Sequence, residues 1–264
     1  MTADQESPTF REQLRIQVRV IWALVMREMM TRFGREGLGV LWMMAEPAMF
    51  IVGVMIIFSH TETTAKYSVA EYLSVSYPTI LLWRNTTGRL LKAIDVNRSL
   101  LHYKPIRPID ILYSRIILEF AGATASFLVL YVVLVVVGIC QLPADLLTMI
   151  LGYLLVLWFS FNFVITMAAL SELSETIDRV SHVILYLMLP FTGVFIPLFL
   201  LPPQLGEMMT YFPLIDAVEY FHRGYYGDRI PTLYHLDYTV TVLAFFTLFA
   251  LSITHFAIRR VQLN

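Results

Sequence analysis

Residues Leu146–Leu170 read LLTMILGYLLVLWFSFNFVITMAAL, 25 residues without a charged side chain. As an α-helix rising about 1.5 Å per residue, such a run extends roughly 37 Å, more than the ~30 Å hydrocarbon core of a bilayer. The rest of the chain agrees with this stretch. Of its 264 residues, 58% are hydrophobic and only 15% are charged, where a soluble domain carries about 25% charge. Mean hydropathy is +0.67. Lipid is therefore the expected solvent for most of the chain. Backbone polar groups in lipid must be satisfied within the structure, and helices do this within one segment. The expected class is an all-α membrane protein.

Further runs of spanning length lie on either side. Upstream are Ile111–Ile139, whose first turns carry Arg115 and Glu119, and Tyr72–Leu91, which is polar in its second half. Before them lies Leu38–Phe58, interrupted only by Glu46 and Pro47. Downstream are Val183–Leu201, uncharged but holding Pro190 and Pro197, and the uncharged Tyr238–Ile258. Six transmembrane helices put both termini on one side. With that alternation, 16 of the 19 Lys and Arg residues share the side of the termini, and Lys66, Arg223 and Arg229 take the other. Basic residues concentrate in cytoplasmic loops, so both termini are expected in the cytoplasm. The weak run Tyr72–Leu91 must be a span for this asymmetry to hold.

The remaining segments complete a single domain, residues 1–264: a cytoplasmic stretch 1–37, a bundle 38–258 and a tail 259–264. In the first stretch Phe10, Leu14, Val18, Ile21 and Val25 recur at spacings of four, four, three and four, beside Arg11, Arg15 and Arg19. That is the pattern of an interface helix lying in the headgroup plane. Acidic residues among the arginines and no short apolar run before Leu38 argue against a cleaved signal. Before the last span, Pro202–His235 is too apolar for a free loop and is interrupted by Pro213 and Gly224. Short re-entrant-like helices on the outer face are expected there.

Catalytic chemistry has no visible carrier. There is no G-x-x-x-x-G-K-[ST] phosphate loop and no G-x-S-x-G nucleophile motif. None of the six histidines stands at a metal-ligand spacing, and the lone Cys140 lies in an apolar run. A net charge of −1 gives no reason to expect nucleic acid. Intramembrane ionisable residues are instead the natural functional candidates. Glu46, Arg84 and Asn85 are expected to line a channel or to bind neighbouring helices. Arg89 and Lys92 are expected to emerge at the cytoplasmic face. Arg115 and Glu119, spaced i, i+4, are expected to pair on one helix face.

Two stretches carry a family resemblance. Thr31-Arg32-Phe33-Gly34-Arg35-Glu36-Gly37-Leu38-Gly39-Val40-Leu41-Trp42, followed by Glu46-Pro47, resembles the junction between interface helix and first span in ABC-2-type permeases. The match is best to the branch exporting capsule polysaccharide. Asn97-Arg98-Ser99-Leu100-Leu101-His102-Tyr103-Lys104-Pro105-Ile106-Arg107-Pro108-Ile109-Asp110 resembles the cytoplasmic coupling segment of that family. The resemblance covers essentially the whole chain.

It implies a homodimeric bacterial inner-membrane permease that is not an enzyme on its own. A separate ABC ATPase, in two copies, would bind ATP and Mg, and this chain would hold no cofactor. The implied cargo is a lipid-linked polysaccharide moved through a channel between two copies. Further implied partners are a periplasmic co-polymerase and an outer-membrane channel. The interface helix and coupling segment, with Arg27, Arg32, Arg35, Arg98, Lys104, Pro105, Arg107 and Pro108, would grip the ATPase. Prolines fix φ, so Pro105 and Pro108 would make that segment stiff.

Other readings remain at this stage. An ABC-2 exporter could carry O-antigen, a drug or a small lipid. A proton-coupled carrier would use Glu46 or Glu119, but the internal repeats common in such folds are missing. A membrane transferase would need clustered acids or histidines at one face, and no such cluster is visible.

Overall fold

The computed structural model describes residues 9–33, 45–46, 48–53, 56, 68–103 and 106–263, without the side chains of 32, 33, 191 and 261–263. All regular structure among the described residues is helical. The helices are α1 Phe10–Phe33, α2 Val69–Leu90, α3 Ala93–Val96, α4 Pro108–Val136 and α5 Leu146–Leu173. They continue with α6 Glu175–Leu187, α7 Pro203–Thr210, α8 Pro213–Tyr226 and α9 Leu236–Leu263. Short 3-10 turns occupy Arg98–His102, Leu189–Thr192 and Leu198–Leu200.

Local chemistry sets the helix ends. Ser68 caps α2 by accepting the Glu71 N–H at 2.9 Å. At the start of α4, Pro108 occupies the first turn, where its missing N–H costs nothing, and Asp110 reaches back to the Arg107 N–H at 2.8 Å. Asp145 caps α5 through the Leu147 N–H at 3.0 Å. Gly227, at φ +58, ends α8 in a conformation that side chains disfavour.

Among the described residues, three helices are long and apolar enough to cross a membrane: α4, α5 and residues Leu236–Arg260 of α9. Among them α5 is central, with 50% of its apolar window buried against 33% for α4 and 22% for α9. It packs against α2, α6, α8 and α9. Call "lower" the end of the bundle where α2 and α5 finish and α4 begins, and "upper" the opposite end. The lower core joins Leu90, Ile94, Leu112, Ile116, Ile165 and Ala250. The upper core joins Tyr72, Phe127, Met149, Phe221 and Tyr225.

Helix α2 is buried along nearly its whole length, polar second half included. Its polarity keeps it out of the apolar set above, yet it runs the full stretch expected of a second span. Of the expected first span, residues 45–46, 48–53 and 56 are helical and the rest lies outside the described residues. The run Val183–Leu201, expected as one span, is not one helix. Helix α6 begins earlier, at Glu175, and stops at Leu187. The Pro190 ring cannot continue an α-helix, Gly193 turns to φ +71, and Pro197 starts a second short turn. Hydropathy is blind to these backbone constraints.

The expected short helices in Pro202–His235 are α7 and α8. The latter buries Leu214, Ile215, Val218, Phe221, Tyr225 and Tyr226. Helix α1 extends to Phe33 and lies against α4. The first part of its apolar stripe, Phe10, Leu14 and Val18, is exposed, and Val25 is buried. Every residue from 10 to 16 is exposed, the arginines included, so these first turns stand clear of the bundle on all sides.

Candidate functional site

The segment joining α2 to α4 turns sharply at its start. Lys92 adopts φ 56 and ψ 22, the left-handed region, where a β-carbon is crowded. The turn sends α3 back beneath the bundle, with Ala93 and Ile94 buried in the lower core. Past this anchor the chain is open to solvent. Asp95, Val96, Arg98, Ser99, His102 and Tyr103 are exposed, with Val96 at 73% and Tyr103 at 65%. Two exposed apolar side chains among charged ones suit contact with another protein.

The sequence-predicted coupling residues fall around this segment unevenly. Arg98 and Arg107 are exposed on it, and Pro108 is buried in the first turn of α4. Arg27 is exposed on α1, and Arg32 lies in the last turn of that helix. Arg35, Lys104 and Pro105 lie outside the described residues. Helix α1 is fastened beside the segment by Gln17, which donates to Asp110. A turn further along α4, Arg115 meets Glu28 of α1 at 3.5 Å. Neither contact was legible beforehand, because the partners are far apart in sequence.

The second cluster is the polar half of α2. Asn85 donates to Glu46 at 3.2 Å, so two of the three predicted polar residues meet. The third, Arg84, lies with its guanidinium carbon 4.6 Å from the centre of the Tyr186 ring on α6. Such stacking stabilises a cation without consuming all its donors. Among the described residues, no carboxylate pairs with Arg84. Arg89, expected to emerge, turns back to Glu119 on α4 at 2.7 Å. Its side chain is 36% exposed and that of Glu119 only 3%. Beside the pairing expected within α4, Arg115 and Glu119 are each engaged between helices, as Arg89–Glu119 and Arg115–Glu28. A buried carboxylate is satisfied by a cation held nearby: α2 supplies Arg89 to Glu119, and α1 supplies the carboxylate of Glu28 to Arg115.

These side chains border a cavity of about 240 Å³, lined by Glu46, Arg84, Asn85, Arg89, His182 and Tyr186 among others. A much smaller space of about 30 Å³ adjoins it, lined by Glu46, Asn85, Arg89 and Glu119 among others. The larger one has room for several waters or a polar group, flanked by two guanidinium groups and a carboxylate. No set of three or more His, Cys, Asp or Glu converges among the described residues to hold a metal ion.

A third polar group, unforeseen from sequence, ties α2 to α8. Ser76 Oγ lies 2.6 Å from His222 Nε2, and His222 Nδ1 lies 3.5 Å from Glu219 Oε1. Ser76 and His222 are fully buried, so the group bridges helices inside the bundle. Glu71 similarly accepts from Tyr225 at 2.8 Å and from Arg229 at 3.1 Å.

Known proteins share this sequence across most of its length. The chain is 32% identical, over 92% of its own length and 93% of the relative's, to the capsule polysaccharide export inner-membrane protein CtrC of Neisseria meningitidis serogroup B. It is 30% identical to the capsule polysaccharide export inner-membrane protein BexB of Haemophilus influenzae, covering 89% of each. It is 25% identical to the polysialic acid transport protein KpsM of Escherichia coli, over 88% of this chain and 93% of that one. The profile of the ABC-2 type transporter family matches residues 19–226, which takes in α2 to α8, the coupling segment and both polar clusters. With that match spanning most of the chain, the protein belongs to the ABC-2 type transporter family.

Proposed function

We propose that this chain is the membrane subunit of an ATP-driven exporter of capsular polysaccharide in the bacterial inner membrane. The observation that carries the reading is the identity of about a third to CtrC and BexB over roughly nine-tenths of the chain. Both relatives are named for capsule polysaccharide export. Two copies would form the translocation path, each docked to a separate ATPase that binds ATP and Mg. Six spans, with both termini cytoplasmic, follow from the distribution of basic residues. On this reading α6 and the turns after it cross as a broken fifth span, and the lower end of the bundle is cytoplasmic.

Arg98 and Arg107, exposed beside Val96 and Tyr103, would contact the ATPase, with Lys104 and Pro105 between them. Arg27, Arg32 and Arg35 would complete the grip from the side of α1. The cavity around Glu46, Arg84 and Asn85 would form part of the polar surface along which a lipid-linked sugar chain moves. A periplasmic co-polymerase and an outer-membrane channel would carry the polymer onward.

Deleting the gene for this chain from a capsulated host tests the reading. Capsule polymer should vanish from the surface and accumulate inside the cell, and the chain supplied in trans should reverse both. Unchanged surface polymer would refute it, as would loss of polymer synthesis itself.

A further inference from the structure

The backbone N–H groups of α3 need acceptors. A one-turn helix has several N–H groups without internal partners, and its N-cap residue, Lys92, offers no side-chain acceptor. The acceptors come from the lower end of α5 instead. Oε1 of Glu172 accepts the N–H of Ile94 at 2.9 Å and that of Asp95 at 3.3 Å. Ser171 Oγ accepts the N–H of Lys92 at 3.1 Å while donating to the Ala168 carbonyl at 2.8 Å. The start of the coupling segment is thus capped across the fold by two consecutive residues of one helix. A carboxylate accepting two N–H groups binds more strongly than a neutral acceptor and lies at the favourable end of the helix dipole.

The upper end of the same helix is held as closely to α8. A β-carbon added at Gly224 would lie 2.1 Å from the Met149 nitrogen, and one added at Gly152 would lie 2.5 Å from Phe221 Cα. The two helices therefore touch backbone to backbone. The N–H of Asp145 donates to the Gly224 carbonyl at 2.8 Å, and that of Ala144 to the Tyr225 carbonyl at 3.0 Å. Both grips sit on α5, a helix of 28 residues, about 42 Å long at the usual rise. No proline interrupts it.

We infer that α5 is the rod that carries motion from the coupling segment to α8, and that Glu172 is the positioning residue joining α3 to that rod. Displacement of α3 by a docked ATPase is passed to α5 through the Glu172 and Ser171 hydrogen bonds. It reaches α8 through the glycine crossing. The inference rests on the transporter reading above, and it adds which helix transmits and through which residues.

The test uses the full complex in its native membrane with Glu172→Leu and Glu172→Gln. Leucine removes the acceptor, and glutamine keeps a carbonyl oxygen in its place. Four quantities are read: chain in the membrane, ATPase retained on purification, ATP hydrolysis and polymer exported. Glu172→Leu should keep the ATPase bound and hydrolysing while export falls about tenfold or more, as loss of a hydrogen bond to a charged group implies. Glu172→Gln should restore most of the export. If Glu172→Leu fails to accumulate, Ser171→Ala, which severs the Lys92 contact and besides it only a bond to Ala168 within α5, should show the same separation in smaller measure. Export within twofold of the native level in Glu172→Leu, or in Ser171→Ala when it stands in, overturns the proposal. So does loss of ATPase binding in parallel with export, or a glutamine variant as defective as leucine. A native chain that recovers no ATPase overturns the transporter reading itself, an outcome distinct from failure of the variants alone.

Discussion

Replacing Gly224 by alanine should damage the molecule far more than its single added methyl group suggests. The new β-carbon would stand 2.1 Å from the Met149 nitrogen, 2.5 Å from its Cα and 2.7 Å from the Thr148 carbonyl carbon. All three are backbone atoms of α5 and cannot swing away as a side-chain tip would. Reaching ordinary contact at 3.4 Å requires α8 to retreat by roughly 1.3 Å. That retreat stretches the hydrogen bonds from Asp145 and Ala144 to the Gly224 and Tyr225 carbonyls. Overpacking of this kind costs about 1–3 kcal/mol, and each weakened hydrogen bond up to about 1 kcal/mol more. A total near 3 kcal/mol lowers the melting temperature of a domain of this size by about 6–12 °C. The assay is thermal unfolding of the detergent-purified chain beside Gly88→Ala, whose added carbon meets nothing within 4 Å. The Gly88 variant should melt at or slightly above the native temperature, because alanine favours a helix by about 0.5–1 kcal/mol. A Gly224→Ala protein melting within about 2 °C of native, less than 1 kcal/mol produces, would refute the close crossing of α5 and α8.

The Arg89–Glu119 pair supplies a second prediction. Arg89→Leu removes a cation from a nearly buried carboxylate and should cost about 3 kcal/mol, the lower end for a buried pair because Arg89 is partly exposed. The double variant Arg89→Leu with Glu119→Leu should recover most of that loss in a thermal-unfolding comparison, and equal loss in both would contradict the pairing. Charge reversal at Arg98, Lys104 and Arg107 together should leave the chain folded in the membrane but unable to retain its ATPase on purification. Normal retention would remove these residues from the docking surface.

Much of the architecture was legible because lipid imposes simple rules. The uncharged length of Leu146–Leu170 marks α5, and Tyr238–Ile258 marks α9 almost as plainly. The stretch of α2 was found indirectly, from the asymmetry of basic residues, since its own hydropathy is spoiled by Arg84, Asn85 and Arg89. Those same residues turn inward to Tyr186, Glu46 and Glu119, which is why a polar helix is buried. The break in Val183–Leu201 was misread because apolar length was weighed above Pro190 and Gly193. Spacing on one helix suggested Arg115–Glu119, but a spacing rule compares residues only within a helix. The further partners come from other helices, the cation Arg89 from α2 and the acid Glu28 from α1. Glu172 could not be singled out at all: its partners Ile94 and Asp95 lie 78 and 77 residues away, and only the packed fold brings them to one carboxylate.

The most direct test of the central claim is purification of the tagged chain, in mild detergent, from its native host. A soluble subunit carrying a phosphate loop should accompany it in equal amount, with vanadate-sensitive ATP hydrolysis in the recovered complex. Repeated recovery of the chain alone, even after crosslinking in intact cells, would contradict an ATP-driven exporter.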